Sequence, residues 1–183
     1  MSPSAPLEAE RRHLAELLEA LQRCVYFLEA SRRKIPWPLS ATYLEEHRKD
    51  VEVFESLAAI NERFAKLQDS LGAGMRHAAL LSGESVDTFL RVLAFYEKTG
   101  VIESVEKWQL YRATRNLAAH DYELAHTEIA EHFNSLNELL PSLYADADRF
   151  HSYCRDSLKV EPVRGEFAGE FDSIIGLRDE SSG

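Results

Sequence analysis

The stretch "EKTGVIESVEKWQLYRATRNLAAHDY", residues 97 to 122, decides how the chain is read. A helical pattern through Phe89, Leu90, Leu93 and Ala94 reaches it and is closed by Gly100, since glycine just past the last periodic residue ends helices. A new helix then runs from Ser104 to about Ala119 with no alternation of apolar and polar residues that would suit a strand. Its end collects an arginine, an asparagine, a histidine and a tyrosine within eight positions: Arg115, Asn116, His120 and Tyr122.

Outward from this stretch the same periodicity repeats. Leu14, Leu17, Leu18, Leu21, Val25 and Leu28 recur every three or four residues and predict a helix over residues 7 to 33. IPWPLS, residues 35 to 40, interrupts it with two prolines. A second long pattern runs from Thr42 through Leu44, Val51, Phe54, Leu57, Phe64, Leu67 and Leu71. Gly72 and Gly74 then end or bend it, leaving a shorter piece from Met75 to Leu81. A last helix starts at Thr127 and continues past Pro141, with a kink or break, to about Tyr153. The expectation is an all-α, antiparallel up-and-down helical bundle of about five main helices over residues 1–154. Residues 155–183 carry several glycines and little periodicity, and read as an irregular or disordered acidic tail with a short docked piece around Phe171 to Ile175.

Composition narrows the function. A hydrophobic share of 45% with 28% charged residues is that of a globular protein. No apolar run approaches the ~18 residues of a membrane span, and the first residues lack the apolar core of a secretory signal. Cys24 and Cys154 are far apart and match no paired metal spacing. A cytoplasmic protein with no membrane attachment is expected. The net charge of −10 speaks against broad attraction to nucleic acid, so any RNA contact must be local. The tail carries four positive and seven negative charges, which leaves the body acidic as well.

At roughly 100° per residue, Trp108, Arg112, Arg115, Asn116 and His120 share one side of the motif helix, while Leu110, Tyr111, Ala113, Thr114 and Leu117 occupy the other. That division predicts a polar face opposite a core face. On the polar face, Arg115 can hold a phosphodiester, because a guanidinium is a planar fork of donors charged at any physiological pH. An imidazole exchanges protons near neutrality, so His120 can take a 2′-hydroxyl proton or supply one to a leaving 5′-oxygen. Asn116, one turn earlier, can orient the ring or the phosphate, and Arg112 adds a second guanidinium. Such chemistry needs no metal or other cofactor, and the histidines show no HExxH or comparable ligand array. The same residues also suit a plain helix C-terminus, where capping and the helix dipole select polar and basic side chains. Arg76 and His77, beside the glycine break, read as a polar pair at a helix start, and His151 with Cys154 as an isolated surface pair.

Arg115, His120 and Tyr122 form an R-x4-H-x-Y pattern that resembles the signature of the HEPN superfamily, in particular the HepT-like ribonuclease toxins. The likeness extends over roughly residues 85 to 140, including the glycine before the motif helix, Trp108, and the small residues Ala118 and Ala119. It implies a helical homodimer in which two motifs share one cleft, and metal-independent cleavage of RNA with Arg115 and His120 as the catalytic pair. It also implies a neighbouring minimal nucleotidyltransferase antitoxin that transfers AMP to Tyr122. A chain of this kind without activity would instead be a substrate-binding partner of the nucleotidyltransferase, and a third alternative is a structural dimer module.

Overall fold

The computed structural model describes residues 5–117 and 125–179. Among them the chain is all-helical: α1 (Ala5–Arg32), α2 (Ala41–Glu46), α3 (Val51–Leu81), α4 (Phe89–Lys98), α5 (Val105–Leu117), α6 (His126–Tyr153), a π-helical turn (Cys154–Leu158) and α7 (Ala168–Asp179). The elements beyond the expected five are the short α2, the π-helical turn and the C-terminal α7.

Apolar spacing explains the long helices. α1 buries Leu14, Leu18, Leu21, Val25 and Leu28, α3 buries Leu57, Ile60, Phe64, Leu67, Leu71 and Met75, and α6 buries Leu136, Leu140, Leu143, Ala147 and Phe150. Each set lies on a single helical stripe, so the three helices close one core between them. Contacts between α1 and α3 run in opposite order along the two helices: Glu10 meets His77, Cys24 meets Arg63 and, just past the end of α1, Lys34 meets Glu52. The same reversal relates α1 to α6, where Arg32 meets Asn137 and His151 meets Leu18. Helix α1 is therefore antiparallel to both, while α3 and α6, where Asn61 meets His132 and Gly74 meets Phe150, run parallel to each other.

Between α1 and α2 the connection is held by one side chain. Asn134 of α6 accepts from the Leu39 N–H at 2.8 Å and donates to the Leu39 carbonyl at 2.9 Å, which satisfies both backbone groups of a buried loop residue.

Four expectations need correction. The pattern from Thr42 is two helices, because Asp50 caps α3 by accepting from the N–H groups of Glu52 and Val53. At the other end, α3 passes through Gly72 and Gly74 unbroken. Both glycines serve packing: a Cβ on Gly74 would lie 2.9 Å from Phe150 Cε1, and one on Gly72 would lie 3.2 Å from Phe89 Cζ and 3.3 Å from Trp108 Cζ2. Helix α6 likewise continues through Pro141 without a break.

The fourth correction concerns the segment read as an irregular or disordered tail, which folds back onto α1. Arg11 donates to the Lys159 carbonyl, and Glu19 accepts from the N–H groups of Arg164, Gly165 and Glu166 at 3.0, 2.8 and 3.1 Å. Helix α7 then buries Phe171 and Ile174, within the span where a docked piece was expected. No helix among the described residues is long and apolar enough to cross a membrane.

Candidate functional site

The motif helix is anchored from beneath by a buried carboxylate. Asp146 of α6 accepts from the Tyr111 hydroxyl at 3.1 Å and from the Glu103 N–H at 3.1 Å, and is paired with Arg149. Burial pushes its carboxyl up to about 6, against the opposing pull of Arg149 and of the two hydrogen bonds. A second tie comes from α3, where Gln68 Nε2 donates to the Trp108 carbonyl at 3.1 Å. These bonds fix both the height and the rotation of α5.

That rotation differs from the one the helical wheel predicts. Trp108, Tyr111 and Thr114 are buried, while Leu110 is 47% exposed and Ala113 also faces outward. The wheel weighed apolar content alone. In the structure the buried side of α5 is set by the space above Gly72, which the Trp108 and Phe89 rings fill, and by the polar ties to Asp146 and Gln68.

Turning Trp108 inward brings Arg115, two turns later on the same side, against α3. Its Nη1 donates to Asp69 Oδ1 at 2.6 Å and to the Ala65 carbonyl at 3.1 Å. The arginine side chain is 19% exposed and the aspartate 64%, so the ion pair sits at a rim, with the arginine inside and the carboxylate outside. Arg112 is exposed on the next turn back, and Asn116 follows Arg115 on the helix. His120 and Tyr122 lie outside the described residues.

Arg112 and Arg115 line an open groove of about 420 Å³ with Gln68, Asp69, Gly72, Ala73, Arg76, Phe89 and Trp108. Asp69, Gly72, Ala73 and Arg76 come from one face of α3, at the i, i+3, i+4, i+7 spacing that stacks residues on a helix. The Arg76 guanidinium lies 5.6 Å from the centroid of the Phe89 ring, a cation–π distance. Three guanidiniums against one carboxylate make this groove locally positive on an acidic chain, which is the arrangement that attracts phosphate. The half-buried Phe89 and the edge of the buried Trp108 give the groove an apolar floor.

Sequence reading missed Asp69 and Phe89 and misplaced Arg76. The last sits within α3, with no carboxylate partner among the described residues, and it parts company with His77, which binds the carbonyl and carboxylate of Glu10. The spacing of Asp69, Gly72, Ala73 and Arg76 was the available signal, and it becomes readable only once α3 is known to be unbroken. The pair His151 and Cys154 is internal: His151 meets the Leu18 carbonyl, and Cys154 is buried with its thiol pushed up to about 12 by burial. Among the described residues no group of three or more histidine, cysteine and acidic side chains is placed to hold a metal ion.

No protein-family model matches the chain, and neither do any curated protein or solved structure.

Proposed function

We propose that this chain is a metal-independent endoribonuclease of the HEPN kind, the toxin of a two-component module. The supporting observation is that Arg115, the arginine of the R-x4-H-x-Y pattern, opens into an arginine-lined groove with aromatic walls. In this reading an RNA phosphodiester takes the place of the Asp69 carboxylate on the Arg115 fork. The guanidinium neutralises charge that grows on the phosphate, and His120 removes the 2′-hydroxyl proton or protonates the leaving 5′-oxygen. Asn116 and Arg112 support them. A homodimer would bring His120 of one subunit to Arg115 of the other. Partnership with a minimal nucleotidyltransferase antitoxin, and AMP transfer to Tyr122, follow from the same resemblance.

The test is cleavage of a labelled RNA by the purified protein with EDTA present. Arg115→Ala and His120→Ala are expected to lower the rate at least a hundredfold. Equal nicking by wild type and both variants would assign the activity to a contaminant and end the reading.

One observation favours a second reading. Arg115 already has a carboxylate and a carbonyl partner, a sufficient structural role, while Arg76 and Arg112 remain to bind a nucleotide. The chain would then be a non-catalytic, substrate-binding partner of the nucleotidyltransferase. That reading predicts nucleotide or RNA binding with no cleavage under any condition.

A further inference from the structure

The groove has two ends. Arg115 and Asp69 close one of them, and Arg76 stacked on Phe89 stands at the other. Seven residues separate Asp69 from Arg76 on α3, about 10 Å along the axis at 1.5 Å per residue. The contacts of α3 with α5 run antiparallel, Ala65 and Asp69 meeting Arg115 while Gln68 and Gly72 meet Trp108. The buried Trp108 therefore lies beneath the groove between the two cationic ends.

We infer that Arg76, held against Phe89, is a second phosphate contact of this groove, receiving the phosphate that flanks the one at Arg115 in a single-stranded RNA. The inference rests on the ribonuclease reading and adds to it a residue outside the R-x4-H-x-Y pattern. A guanidinium lying over an aromatic ring keeps its N–H donors at its edges. Stacking also limits its rotamers, so less freedom is lost when a phosphate binds. Because Arg76 has no carboxylate partner among the described residues, a phosphate need displace nothing there, in contrast to the Arg115 end. The groove's volume is that of a small-ligand site, which suits one nucleotide unit with its neighbouring phosphates and excludes a duplex.

The experiment measures binding of a 2′-O-methyl oligonucleotide, which lacks the attacking hydroxyl, to full-length protein across a salt series. Cleavage of the matching RNA is followed in parallel. Arg76→Ala is expected to weaken binding about three- to tenfold, and to make the slope of log K against log salt shallower by about 0.7, the loss of one phosphate contact on a single strand. Its kcat/KM should fall far more than its kcat at saturating RNA. Arg76→Lys keeps the charge and should retain the wild-type salt slope with part of the affinity. A duplex of the same sequence should bind more weakly than the single strand.

If wild type binds and cleaves RNA while Arg76→Ala matches it in affinity and salt slope, Arg76 is not a phosphate contact and the ribonuclease reading stands alone. If wild type neither binds the oligonucleotide nor cleaves RNA, the ribonuclease reading fails and this inference falls with it. Thermal melts of both variants guard against misfolding, which the exposed position of Arg76 makes a minor concern.

Discussion

Asp69 and Arg115 meet at 2.6 Å across the α3–α5 seam, the carboxylate largely in solvent and the guanidinium largely out of it. In the ribonuclease reading proposed above, an incoming phosphate would compete with Asp69 for the same donor. Replacing Asp69 with asparagine removes the competing charge at nearly constant size. RNA affinity of Asp69→Asn should rise severalfold, and its salt slope should steepen by about 0.7. An exposed pair contributes about 0.2–1 kcal/mol, so the melting temperature should fall by only a few degrees. Anisotropy titrations that show weaker binding would mean that Asp69 orients Arg115 and does not compete with the ligand.

Gly74 permits the closest approach of Phe150 to α3. The Phe150 ring is fully buried and has little freedom to retreat from a Cβ at 2.9 Å. Gly74→Ala should therefore cost about 1–3 kcal/mol through overpacking, outweighing the ~1 kcal/mol that alanine gains in helix propensity. Gly72→Ala meets its neighbours at 3.2 and 3.3 Å and should cost less. Chemical denaturation ranks the two, and the reverse order would contradict the packing described above.

The fold-back of the C-terminal segment should weaken in acid. Glu19 feels some burial that pushes its carboxyl up, but the N–H groups of Arg164, Gly165 and Glu166 outweigh this and hold it below the usual range. His151, at 5.1 Å from Phe171 between ring centroids, is pushed down to about 4 by burial. Both folded-state values are depressed. Each group thus contributes stability that is present above its unfolded pKa and is lost as pH falls through the folded one. For His151 that window runs from about 6.5 down to about 4, and Glu19 adds its loss at the acid end. Hydrogen exchange should show residues 159–179 opening before α1 and α3 on acidification. Glu19→Gln should open them already at neutral pH, and uniform exchange across the chain would argue against a separable seam.

Asp146 should behave in the opposite sense. Its carboxyl is raised to about 6 by burial, against about 3.9 in an unfolded chain. The stability it contributes is present below the unfolded value and lost as pH rises through the folded one. Between pH 4 and pH 6 wild type should therefore lose stability relative to Asp146→Asn, on the order of 2–3 kcal/mol for a two-unit shift. Denaturant titrations of both proteins at several pH values measure the difference. A difference that does not vary with pH would mean that Asp146 stays ionised throughout.

How far the sequence discloses this molecule depends on which forces act locally. The stripe of Leu14 to Leu28 follows from spacing alone, and α1 lies where the spacing puts it, whereas for α3 the spacing shows the helix through Leu57 to Leu71 but neither its start at Val51 nor its run past Gly72. The continuation of α3 through Gly72 and Gly74 was not legible, because those glycines answer to Phe150, Phe89 and Trp108, which come from distant parts of the chain. Helix α7 was hidden for a similar reason. Its own glycines favour no structure, and the loop that leads into it is held by Glu19 through backbone groups that carry no sequence signature. At the candidate site Arg112 and Arg115 were visible as a pair on one helix. Their neighbours Asp69, Arg76 and Phe89 were not, since no local pattern says which helix will lie opposite.

Helix α3 runs for 31 residues without interruption. Asp69 and Arg76 are thus joined by backbone hydrogen bonds and cannot draw together or spread apart to suit what arrives. The backbone beneath the groove is therefore a fixed floor two turns long, and only the side chains above it can adjust. Fitting a ligand there falls to the rotamers of Arg76, Arg112 and Arg115 and not to any bending of α3.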